Sequence, residues 1–249
     1  MFRIIDIHTH ILPGVDDGAG NWKDTLQLMQ TAYAQGTIHM IATPHYSSRV
    51  DIDKLVSLRD QAQKLAQNAG LELTVSLGQE ILYFEDLPIY LEQGKALSLA
   101  GSRYVLVEFQ PNDSYQRVWR AVRELVQTGY FPIIAHAERY RCLREDSRVE
   151  ELIDSGAYLQ ANAGSILGGI LDKTAFWCRR AVMQGRIHFL ASDMHNIGHR
   201  PPRLEAAAER LAKQLSPAQI QGIVGNNQDR KSTRLNSSHS SRSRMPSSA

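Results

Sequence analysis

The sequence predicts an α/β fold of seven strand–helix repeats closed into a barrel. Three observations predict it. Short apolar or β-branched runs alternate with longer amphipathic segments, glycines mark the passage from helix to strand, and nearly every strand ends in a metal-capable side chain. An open doubly wound sheet would accommodate the same alternation. It would spread those strand ends across its width, whereas a barrel brings them to one mouth, where active sites of that architecture lie.

Taken in order, strands are expected over residues 3–8, 37–43, 71–78, 103–109, 131–136, 157–163 and 187–192. Helical patterns lie between most of them, over 22–35, 51–68, 115–128, 148–155 and 173–184. Gly36, Gly70, Gly129, Gly156 and Gly185 each stand between a helical pattern and the next strand, the position of a left-handed C-terminal cap. The strands finish at His8 and His10, His45, Glu80, Glu108, His136, Asn162, and Asp193 with His195.

At 249 residues and 43% hydrophobic, the chain can bury a full core, and one repeating pattern argues for one domain, residues 1–227. No apolar run approaches the ~18 residues of a membrane span, and no secretory signal opens the chain, so membrane insertion is not expected. Two cysteines, Cys142 and Cys178, read as free thiols of a reducing compartment. The expected location is the cytoplasm. Residues 228–249 are Ser/Arg-rich without apolar periodicity and are expected to be disordered. A basic arm for an anionic partner is one reading of them. The stretch DRKSTRLNSSH also resembles the translation of a sequencing adapter, which favours a non-native tail on a chain cut short near Asn227. The last 21 residues hold five of the 28 Lys+Arg and one of the 26 Asp+Glu, so the rest carries 23 against 25. No nucleic-acid footprint remains.

The strand ends carry the chemistry. His8 and His10 lie two apart and share one face of a strand. Thr43-Pro44-His45 stops the second strand and displays an imidazole, and Glu80 and Glu108 follow apolar runs where an unpaired carboxylate would be costly to bury. A cation removes that cost, as an arginine partner would. His136 in PIIAH and Asp193 in HFLASDMH repeat the construction. Imidazoles and carboxylates without thiolates suit Zn, Mn or Fe(II), and so many ligands imply a cluster.

D-x-H-x-H, the DDG loop, TPH, GQE, VE at the fourth strand, H-x-ERY, and SDxH before RPP together resemble the PHP (polymerase and histidinol phosphatase) superfamily. More narrowly they resemble its bacterial metal-dependent protein-tyrosine phosphatases of capsule and exopolysaccharide synthesis. The likeness runs from about Ile4 to Leu215. It implies a distorted TIM-like (β/α)7 barrel with three divalent metal ions, manganese first, iron or zinc as alternatives. By the same likeness His8, His10, Glu80 and Asp193 hold the first ion; Glu80 bridges to the second, with Glu108 and His136; Asp17, His45 and His195 hold the third. Arg139 and Arg200 match positions that bind or polarise the phosphate. Asp16 is left between a ligand role and shaping its loop through backbone amides. The implied partner is a phosphotyrosine protein, a bacterial tyrosine autokinase; a homo-oligomer is left open.

Rival readings remain at this stage. Cys142 and Arg148 fit C-x5-R, the signature of cysteine-dependent phosphatases, but Glu145 and Asp146 inside that loop would repel thiolate and phosphate alike. A small phosphate monoester such as histidinol phosphate could be the substrate instead, or the chain could be a metal-binding docking module without turnover. A missing ligand or arginine would mark the latter, and none is missing.

Overall fold

The computed structural model describes residues 2–169 and 171–225. The expected tail over 228–249 lies outside them. Eight parallel strand segments are formed: β1 (Ile4–Thr9), β2 (Thr37–Ala42), β3 (Thr74–Leu77), β4 (Glu80–Leu82), β5 (Tyr104–Glu108), β6 (Phe131–Ile134), β7 (Tyr158–Asn162) and β8 (Phe189–Ala191). The helices are α1 (Trp22–Ala34), α2 (Ile52–Asn68), α3 (Leu87–Glu92), α4 (Tyr115–Gln127), α5 (Asp146–Asp154), α6 (Ala163–Ile166), α7 (Lys173–Met183), α8 (Leu204–Leu211) and α9 (Pro217–Val224).

The strands form two sheets, β1-β2-β3 and β4-β5-β6-β7-β8. Their edges meet through isolated parallel bridges, Thr9 to Met194 on one side and His45 to Glu80 on the other. All seven expected strands are therefore represented, the third only by β3, and β4 is an additional strand beyond the expected 71–78. The first residues expected in the third, 71–73, are not strand, because Leu71 N–H still bonds Ala66 O at the end of α2. The path then pairs with β2 as β3, bends at Gly78 and Gln79, and pairs with β5 as β4. The bend needs glycine: a Cβ at Gly78 would lie 3.1 Å from Leu99 Cα and 2.8 Å from its Cδ2.

Local chemistry starts and stops the helices. Asn21, Asp51, Ser114, Asp172 and Ser216 cap α1, α2, α4, α7 and α9 with side-chain oxygens on free backbone N–H groups. All five glycines expected after helices have positive φ, from 69° to 102°. Helices α3, α6, α8 and α9 fall outside the expected elements; none exceeds eight residues, too short for a helical period to stand out.

Strand alternation puts the site where it is. An inner apolar cluster of Ile7, Ile41, Leu106, Ile133, Tyr158 and Phe189 fills the space between the sheets. Two or four residues further along the same faces come Glu108 above Leu106, His45 above Ile41, Gln160 above Tyr158, and Asp193 above Phe189. Register irregularities in β1 between Asp6 and Thr9 let Ile7 join the inner cluster while its neighbour His8 reaches the mouth. The paths of β1, β2, β5, β7 and β8 are thus apolar below and polar above.

Candidate metal centre and active site

The mouth gathers all nine side chains that the sequence offered as metal ligands, together with Arg139 and Arg200. Glu80 sits at its centre, buried, with its Oε2 3.2 Å from His8 Nε2, 3.3 Å from His10 Nε2 and 3.1 Å from His45 Nδ1. Its Oε1 is 2.7 Å from His136 Nε2. Glu108 lies 3.4 Å from His136 Nε2 and 3.5 Å from His45 Nδ1. Asp17 Oδ1 is 3.4 Å from His45 Nε2 and 3.2 Å from His195 Nε2. Three sets of ligand atoms lie within 4.8 Å of one another: His8, His10 and Asp193; His45, Glu80 and Glu108; and His10, Asp17, His45 and His195. His45 and His10 each belong to two sets. His136 was expected beside Glu80 and Glu108, and its Nε2 contacts both.

Two candidate ligands occupy unusual backbone. His136 has φ 32° and Asp193 φ 53°, conformations rare for residues with a Cβ. The left-handed turn ends strand alternation, so His136 and Ala135 both face inward, one to the site and one to the inner cluster.

Electrostatics make the mouth a place for cations. Burial works against a charge on His8, but Glu80 and Asp193 outweigh it and raise its pKa to about 9. Hydrogen bonds to Glu108 and Glu80 raise His45 to about 11. Burial would raise Glu80, yet the surrounding imidazoles hold it well below the usual carboxylate range, and His8 with two guanidiniums does the same for Asp193. His195 runs the other way: burial, His10 and Arg200 push it down to about 4. A proton is only one cation that could satisfy these carboxylates. Asp193 Oδ1 and His195 Nε2 are buried without a hydrogen-bond partner, and His8 Nε2 faces His10 Nε2 at 3.2 Å. Lone pairs converging without donors fit shared metal ions.

Arg139 and Arg200 meet at Asp193. Their Nη2 atoms donate to its Oδ2 at 2.8 and 2.6 Å, and both guanidiniums are partly exposed. They line one cleft with Asn162, Ser165 and His199. The arrangement can bind a tetrahedral dianion between arginines and cations.

Sequence reasoning left Asp16 undecided and did not single out Gln160 or Tyr140. Asp16 Oδ2 lies 2.7 Å from His10 Nδ1 and accepts from His45 N–H, while Oδ1 accepts from Gly18 N–H. Burial opposes its charge, but His10 and the two amides lower it to about 2. It therefore orients His10 from behind, with Nε2 left towards the mouth. Tyr140 Oη pairs with His136 Nδ1 at 3.1 Å; its position within H-x-ERY was the available signal.

The C-x5-R segment does not form a phosphate cradle. Cys142 is buried and burial pushes its thiol pKa up; Arg148 is engaged by Glu145 and by the Cys142 carbonyl. Cys142→Ser is expected to leave phosphate release unchanged, measured on phosphotyrosine peptide. Loss of turnover with full metal content would restore the thiol to the mechanism.

Residues 4–231 match the family described as capsular polysaccharide synthesis, CpsB/CapC. The chain is 31% identical over 233 residues to the tyrosine-protein phosphatase CpsB of Streptococcus pneumoniae, covering 90% of this chain and 96% of that protein. It is 34% identical over 216 residues to the tyrosine-protein phosphatase YwqE of Bacillus subtilis, covering 85% of each. A crystal structure from work on YwqE and CpsB, described as unique metal-dependent tyrosine phosphatases, superposes with TM-score 0.81 at 33% identity, covering 87% and 90% of the two chains.

Proposed function

The chain belongs to the CpsB/CapC capsular polysaccharide synthesis family, and from that premise we propose that it is a metal-dependent protein-tyrosine phosphatase. The observation that carries the reading is the meeting of nine candidate ligands and two arginines at one mouth. We assign His8, His10, Glu80 and Asp193 to a first ion, Glu80, Glu108 and His136 to a second, and Asp17, His45 and His195 to a third, with manganese as the metal. Asp17, whose side chain is 65% exposed, is the most exposed of the residues that would hold the third ion. When bound, the ions neutralise phosphate charge and lower the pKa of water.

The chain's own groups do the rest. Arg139 and Arg200 each donate one N–H to Asp193 Oδ2, and Arg200 Nη1 also lies 3.7 Å from Asp17 Oδ2; the other N–H donors of the two forks are left for phosphate oxygens. Asp16 and Tyr140 hold His10 and His136 from outside the cluster. The leaving phenolate has a pKa of about 10, so it departs without strong general-acid help. The substrate we infer is a phosphotyrosine protein, with a tyrosine autokinase of capsule synthesis as the physiological one. Among the described residues no helix is long and apolar enough to cross a membrane, and both cysteines are free and buried; we place the enzyme in the cytoplasm.

Metal-free protein titrated with Mn²⁺ should release phosphate from a phosphotyrosine peptide. A strong preference for histidinol phosphate over that peptide would replace the substrate, and Mn²⁺ binding without release from any phosphate ester would leave only a docking module.

A further inference from the structure

Strand β7 contributes no imidazole or carboxylate to the mouth, yet its two upper side chains touch three of the elements that do. Gln160 is fully buried and Asn162 nearly so. Gln160 Oε1 accepts from His136 N–H at 2.8 Å and lies 3.2 Å from His8 Nδ1. Gln160 Nε2 donates to Asn162 Oδ1 at 2.8 Å, and Asn162 Nδ2 donates to Asp193 Oδ2 at 2.7 Å.

The direction of this chain is not arbitrary. A backbone N–H can only donate, so the amide atom facing His136 N must be oxygen. That choice sends Gln160 Nε2 towards Asn162, fixes the Asn162 amide in turn, and delivers a donor to Asp193. At the near end, an oxygen facing His8 Nδ1 requires that nitrogen to carry hydrogen, which makes Nε2, inside the mouth, the nitrogen that would give up its proton to an ion. At the far end, Asp193 Oδ2 is filled by Asn162, Arg139 and Arg200, while Oδ1 is left without a partner beside His8 Nε2 at 3.4 Å. One backbone amide, held in the left-handed turn of His136, thus sets the orientation of groups from β1, from the end of β6 and from the end of β8.

We propose that Gln160 and Asn162 form a positioning relay that presets His8, His136 and Asp193 for metal binding. The relay rests on the metal-dependent reading above and adds to it: the ligands assigned to the first and second ions are not independent, because His8 and His136 share the single acceptor Gln160 Oε1. Loss of Gln160 disturbs both ions. Loss of Asn162 removes one of three donors from Asp193 Oδ2, which keeps its two arginines, and frees Gln160 Nε2, but leaves the Gln160 acceptor in place for His8 and His136.

Mn²⁺ binding to the metal-free protein, followed by calorimetry and by metal content after gel filtration, tests this without reference to turnover. Gln160→Met, of similar shape but unable to accept, should weaken Mn²⁺ affinity by about 10–100-fold, the usual effect of losing a partner behind a ligand. Gln160→Glu keeps an acceptor for His8 and His136 and should recover much of that loss. Asn162→Ala should show a smaller loss than Gln160→Met. Wild-type affinity in Gln160→Met, or no recovery in Gln160→Glu, would overturn the relay. Should Gln160→Met fail to fold by circular dichroism, Asn162→Ala decides, and unchanged Mn²⁺ affinity there overturns the proposal. Absence of Mn²⁺ binding by the wild type would instead sink the metal-dependent reading itself.

Discussion

Glu80→Ala is expected to abolish metal-dependent turnover, lowering kcat/KM on phosphotyrosine peptide by about 10³-fold or more, at least the cost of losing one preorganised charge-stabilising group. No other carboxylate at the mouth is touched by as many imidazoles: His8, His10 and His45 at one oxygen and His136 at the other. Its removal leaves those nitrogens without the charge that draws cations to the centre of the mouth. Metal content per chain should fall together with activity. Glu80→Gln, which keeps the shape and removes the charge, should fail almost as badly. Retained activity in that variant would mean that the residue fills space and does not hold an ion.

Arg139→Ala and Arg200→Ala should each cost about 10²–10³-fold in kcat/KM, comparable to loss of a single transition-state donor, with a much smaller fall in metal content than in Glu80→Ala, because Asp193 Oδ2 keeps Asn162 and the other arginine. That contrast separates the two classes of residue. Each guanidinium is tied to Asp193 by one nitrogen, Arg200 also pairs with Asp17, and both still have N–H donors to offer to the cleft. Inhibition by orthophosphate should weaken in parallel, because ground-state phosphate uses the same donors. Lysine at either position should not restore activity, since a point charge cannot both hold Asp193 and fork onto two phosphate oxygens. Unchanged orthophosphate inhibition in both alanine variants would remove the arginines from the phosphate site.

The parts of this protein that could be read in advance are those governed by local rules. Alternation located the strands, glycines marked the ends of the longer helices, and strand polarity changes exposed Glu80, Glu108 and Asp193 as anomalies. The bend at Gly78 was not legible because its cause, Leu99, lies 21 residues further on and only folding brings it there. Asp16 and Asp17 are adjacent and chemically identical; what separates them is that one turns back to His10 and the other forward to His45 and His195. Gln160 was invisible for a different reason. An amide in a buried strand has many ordinary uses, and the two histidines it holds come from positions 152 residues before it and 24 before it. Ligands announce themselves by charge in apolar company; the groups that aim them do not.

The bridge between Thr9 and Met194 has a bearing on how the molecule comes to exist. His8 and Asp193 meet only because the first and last strands of the path lie side by side, with Asp193 N–H bonded to His8 O. During synthesis at about 5–20 residues per second, the early histidines therefore wait several seconds or more for their carboxylate. An amino-terminal fragment, however well its own repeats fold, has half a binding site. A ligand that needs groups from both ends of this path can bind fully only to the finished chain, and mass action would then favour that form over every partial one.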